Sequence, residues 1–125
     1  MDIGFSIAIV LHVLPGVFWA GTTFVLARNG AQGAETLFFP QIGSGIVTIL
    51  LGAYLMATMF AGGGAPLALM LGAAAAIIAF LVQAAMVGPV RARLATEPAA
   101  RRRAATGERI SALLLALAVI GMVVR

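Results

Sequence analysis

Residues 3–27, IGFSIAIVLHVLPGVFWAGTTFVLA, run for 25 positions without one Asp, Glu, Lys or Arg. A helix that crosses a bilayer needs about 20 consecutive apolar residues, so this stretch alone is long enough to span one. Only Met1 and Asp2 precede it. A basic leader region is therefore missing, and the run is longer than the apolar part of a signal peptide, so it reads as a retained span. It stops at Arg28-Asn29-Gly30, residue types suited to a helix C-terminus.

The rest of the chain repeats the pattern. Hydrophobic residues make up 62% of the 125 positions, about 78 of them, which is room for roughly four spans of about 20. The spans are expected at about 3–27, 40–61, 66–90 and 108–124, within a single integral membrane domain. Pro40 and Pro66 suit first-turn positions, and Gly62-Gly63-Gly64 forms a short uncharged turn. The last apolar run, Ile110 to Val124, has 15 residues and fills a span only if its helix starts earlier or Arg109 and Arg125 snorkel. Thr106 is a candidate cap for it. No segment alternates apolar and polar residues as a barrel strand would. The fold class is thus all-α, a polytopic membrane protein built as a four-transmembrane-helix bundle.

Composition excludes several function classes. Only 12 residues are charged, 8 Arg and 4 acidic, with no Lys and no Cys. That is too few charges for a water-facing surface, and it leaves no thiolate metal site, redox pair or Cys nucleophile. No Ser-His-Asp set, phosphate loop or dinucleotide fingerprint is legible. The basic character comes from one stretch, RARLATEPAARRRAATGER at 91–109. By the positive-inside rule this loop belongs in the cytoplasm, with seven of the eight Arg inside and both termini periplasmic. The expected setting is a bacterial inner membrane, with anionic headgroups rather than nucleic acid as the partner of the Arg run.

Small residues lie in stripes at helical spacing: Ala8, His12, Gly16 and Ala20; Ser44, Thr48 and Gly52; Gly72, Ala76, Ala79 and Gln83. Such stripes let membrane helices approach closely. They point to a compact bundle with a further face for self-association, as a homo-oligomer or within a larger membrane complex. Thr22, Thr23, Ser44, Thr48 and Gln83 fall at similar depths and form a candidate hydrogen-bonded layer. Asp2, Glu35, Glu97 and Glu108 all read as lying outside the spans, which argues against a carboxylate-driven pump.

His12 is the one histidine, inside span one, where an ionisable group should face the bundle interior or a cavity. Pro15 follows three residues later, and Gly16 and Trp19 share its face at i+4 and i+7. His12 is a candidate metal or haem ligand or proton-relay group, or else a neutral histidine bonded to a hydroxyl or a free carbonyl. Met56, Met70 and Met122 fall toward the same end of their spans, and helix side chains lean toward the N-terminus. They are candidate soft partners for His12, or gap-filling side chains.

The segment LHVLPGVFWAGTTFVLAR, with its His12-x6-Trp19-x-Gly21 spacing, resembles the first helix of a loose group of small bacterial membrane proteins. The group includes the copper-resistance D-type proteins and the HemJ-type protoporphyrinogen oxidases. VGPVRARL (87–94) and GMVVR (121–125) fit the same resemblance. It implies haem b bound through His12, with Gly16 and Trp19 shaping the pocket, for electron transfer or haem handling. The group's bis-histidine members carry further histidines on later helices, and this chain has none. Its second axial ligand would be a Met, be absent, or be His12 of a second copy. A non-catalytic bundle that stabilises a larger membrane complex is the alternative function, and copper or small-solute transport a third.

Overall fold

The computed structural model describes residues 2–124, and within them the chain is mostly helical, its helices joined by short turns. Its elements are α1 (Ile3–Arg28), α2 (Ala34–Met59), α3 (Leu67–Met86), a short 3-10 helix (Gly88–Arg93) and α4 (Pro98–Val123). Each of the four long helices is long and apolar enough to cross a membrane. A 26-residue helix rises about 39 Å, against a hydrocarbon core of about 30 Å. Large apolar side chains point outward along every helix, among them Leu14, Val17, Leu50, Leu81 and Leu117, with Leu113 71% exposed. In water such a surface would aggregate; against lipid it is the expected solvent-facing side.

The local causes are legible. Asp2 caps α1 by accepting the Phe5 N–H at 2.7 Å. The α1–α2 connection turns through Gly30, Ala31 and Gly33, all at positive φ. Ala31, at φ 67°, carries the strain of a Cβ in that region. It is held there by complete burial, by its N–H bond to Leu26 and by an Arg101 guanidinium on its carbonyl.

Two helical hairpins make up the bundle: α3 packs most extensively on α4, α1 on α2, and α1 also on α4, while α2 and α3 touch only lightly. The stripes of small residues sit at these crossings. A Cβ on Gly16 would meet Thr48 Cγ2 at 3.4 Å, and one on Gly45 would meet Phe80 and Trp19 at 3.1 Å. On the other hairpin, a Cβ on Gly72 would lie 2.9 Å from the Ala118 carbonyl oxygen. Both described chain ends lie at one end of the bundle and the Arg-rich segments at the other.

Three expectations are corrected. α2 begins at Ala34, so Pro40 stands inside the helix rather than in its first turn. Its missing N–H costs one bond, to the carbonyl four residues earlier, near the helix start. α4 begins at Pro98, a full ten residues before 108, so the stretch read as a polar loop is largely helix. Ala100, Ala104 and Ala105 are buried against Leu26, Phe38, Val87 and Leu94, and this packing carries the helix through the Arg run. Thr106 is consequently no cap: its hydroxyl donates to the Arg102 carbonyl one turn back. The extension gives span four its length without snorkelling; Arg125 lies outside the described residues. The third correction concerns Glu108, which is fully buried among the four helices instead of lying outside them.

The Arg residues also close helix ends. Arg103 donates to the Met86 and Ala85 carbonyls of α3, and Arg109 to the Ala27 carbonyl of α1. These are the terminal carbonyls that a helix leaves without intrahelical partners. Arg101 pairs with Glu35 at 2.7 Å, and Arg91 lies over the Phe38 and Phe39 rings.

Candidate functional site

At the end of the bundle away from the Arg cluster, an apolar cavity of about 570 Å³ opens among the four helices. Ligand sites commonly measure about 300–1,000 Å³, so it is large enough for an organic cofactor. His12 on α1, Met56 and Met59 on α2 and Met122 on α4 line it, with aliphatic and Phe side chains making up most of the remaining wall. His12 supplies the single imidazole of that lining and Thr48 its hydroxyl.

The imidazole is fixed by α2. His12 Nδ1 lies 2.8 Å from the Thr48 carbonyl oxygen, and since a carbonyl only accepts, Nδ1 carries the proton. In the neutral ring Nε2 then holds a free lone pair, and it has no hydrogen-bond partner among the described residues. Gly52 makes the seat: a Cβ there would lie 2.9 Å from the His12 ring carbon Cε1. Gly52 thus belongs to the site, although the sequence marks it only as part of a packing stripe.

Of the residues singled out with His12, the cavity gathers Met56 and Met122 and adds Met59, but not Met70, which is 52% exposed. Gly16 and Trp19 do not line it. Gly16 lets α2 approach, and Trp19 is buried deeper, its indole N–H donating to Gln83 Oε1 at 2.7 Å. No group of three or more His, Cys, Asp or Glu able to hold a metal ion occurs among the described residues.

The expected polar layer exists in altered form. Thr23 and Gln83 join, with Gln83 Nε2 donating to Thr23 Oγ1 at 2.7 Å. Thr22, Ser44 and Thr48 instead bond carbonyls of their own helices. Their places are taken by Gln41 and Glu108, both buried, with Gln41 Nε2 donating to Thr23 Oγ1 and Glu108 Oε2. Thr23 is eleven residues after His12, so this cluster lies about 16 Å further along the bundle.

The fold and the site together define an all-α, four-helix protein suited to a bilayer, with an apolar cavity that holds one oriented imidazole. No protein-family model, curated protein or solved structure matches the chain.

Proposed function

We propose that the chain is a small bacterial inner-membrane protein that binds haem b in this cavity, where His12 Nε2 would hold the iron, for electron transfer or haem handling. The observation that carries the reading is the Nδ1 bond to the Thr48 carbonyl, because it leaves the unprotonated Nε2 as the free ring nitrogen on a cavity wall. A metal-ligating histidine almost always donates its other N–H in this way, which fixes tautomer and ring orientation. The donor set fits haem iron: one imidazole and, from Met56, Met59 and Met122, soft thioethers of the kind that complete histidine–methionine haem sites. The apolar lining suits a macrocycle and excludes water. A single imidazole is too few donors for a closed copper or zinc site. Haem, when bound, would supply one-electron redox chemistry. The protein's own part is to seat the ligand ring on Gly52 and shield the site.

The resemblance of the first helix to haem-binding membrane proteins supports the same residue. The Arg-rich end would face the cytoplasm, with both termini periplasmic. A C-terminal alkaline phosphatase fusion is expected to be active in cells, and an inactive, stably expressed fusion would reverse the orientation.

Haem binding is tested first by absorbance of the detergent-purified protein produced with added haem. Gly52→Ala sharpens the test, since the new methyl group would displace the imidazole. That variant is expected to fold and to retain several-fold less haem than wild type. Equal retention would mean that the His12 position against α2 does not matter for the cofactor.

A further inference from the structure

The cluster around Glu108 has a hydrogen-bond inventory that does not close. The Trp19 indole N–H fixes Gln83 Oε1 as an acceptor, so Gln83 Nε2 donates, to Thr23 Oγ1 and to Glu108 Oε2. Gln41 Nε2 donates to the same two atoms. The Thr23 hydroxyl spends its own hydrogen on the Trp19 carbonyl at 2.7 Å. Every donor in the cluster is thereby used, and two buried acceptors are left without a partner, Gln41 Oε1 and Glu108 Oε1. Neither Arg nor His bonds the carboxyl among the described residues. On α4, Arg109 is exposed and bonds Ala27, while Arg28 at the end of α1 is exposed. From α1, α2 and α3 the groups bonded into the cluster are Thr23 with Trp19, Gln41 and Gln83, none of them charged.

An ionised carboxylate buried in this way has no counter-charge and is expensive. One hydrogen repairs the inventory. Placed on Glu108 Oε1, it makes the carboxyl neutral and supplies a donor for Gln41 Oε1. The Gln41 amide already donates to the other carboxyl oxygen at 3.3 Å, so the two groups complete the paired arrangement of a carboxylic acid with a primary amide.

We propose that Glu108, Gln41, Gln83 and Thr23 form an intramembrane proton-binding site, with Glu108 held as the neutral acid in the folded bundle. The site draws one side chain from each of the four helices, so it exists only when they are assembled. Separating α2 from α4 removes the Gln41 acceptor and lets water reach the carboxyl, which releases the proton. Folding and proton uptake are therefore linked, and with one more proton bound folded than unfolded, stability falls as pH rises. The proposal stands independently of haem at His12.

The test is infrared spectroscopy of the purified protein in lipid nanodiscs at neutral pH. Asp2, Glu35 and Glu97 reach water and Glu108 is buried, so a protonated-carboxyl C=O band lost in Glu108→Gln reports Glu108. The wild type is expected to show that band, shifted in D2O and unchanged when sodium chloride replaces choline chloride. In Glu108→Gln the band should vanish, and the melting temperature should lose the decline that the wild type shows as pH rises above the ordinary carboxylate range. The wild-type spectrum decides the matter even if the variant does not fold. Absence of the band in folded wild type overturns the proposal. So does loss of the band on adding sodium, which would make the cluster a metal-cation site instead.

Discussion

His12→Ala is expected to abolish haem retention while leaving a folded, helical membrane protein. The two effects separate because the imidazole does little for the fold. It makes one hydrogen bond, to Thr48, and is only part-buried. Inter-helix bonds in membranes average about 0.6 kcal/mol, so removing this one should move the melting temperature little. For the cofactor the loss is far larger. Removing an outer-shell partner of a metal site costs roughly 10–100-fold, and here the proposed ligand itself disappears with no second histidine to replace it. Visible absorbance per chain, read beside circular dichroism of the same sample, checks both halves. Undiminished haem in His12→Ala would exclude that residue as the ligand. A variant that fails to fold would mean the imidazole is structural.

The second large effect concerns the α3–α4 crossing. A Cβ on Gly121 would stand 2.5 Å from the Ala68 carbonyl oxygen and 3.0 Å from the Gly72 Cα. Both are backbone atoms, so no side chain can swing aside and the helices themselves must part. Gly121→Ala is expected to destabilise the bundle by about 1–3 kcal/mol, the usual range for forcing extra methyl groups into a packed core. Gly21→Ala makes the contrast, because nothing lies within 4 Å of a Cβ there. In an open helical position Ala is favoured over Gly by roughly 0.5–1 kcal/mol, so that variant should match or exceed wild type. Thermal unfolding of both in one detergent reads the difference. Equal stability of the two variants would mean that the α3–α4 contact is looser than the structure shows.

What the sequence discloses follows from which physical signals are one-dimensional. Apolar run length is such a signal, and it locates all four spans. Small residues at helical spacing are another, and the stripes through Gly16 and Gly72 do lie at helix crossings. The start of α4 is hidden because Arg is read as loop, whereas Ala100, Ala104 and Ala105 hold the same segment helical by packing inward. That single boundary also conceals Glu108. With α4 begun at 98, Glu108 falls on the inward face together with Ser111, Ala112 and Leu115, all buried. The spacing of those four residues was a usable signal once the helix was extended.

The site was partly legible for a similar reason. Depth can be counted along a helix, and counting depth pairs His12 with Met56 and Met122. Which way a residue faces around its helix depends on the neighbours, and this misplaces Met70, Gly16 and Trp19. Trp19 illustrates the point: its i+7 spacing from His12 is real, yet the indole N–H is drawn to Gln83 rather than to the cavity. Gly52 and Met59 come from α2, and no pattern within α1 indicates them.

The most direct test of a haem-binding bundle is a reduced-minus-oxidised visible spectrum of the wild-type protein, purified in detergent after expression with haem supplied. The predicted result is a b-type Soret and α band at close to one haem per chain, or one per two chains if copies share it. A colourless wild type that is monodisperse and helical would contradict the account. It would leave His12 as a structural histidine and the bundle as a supporting subunit of a larger membrane complex.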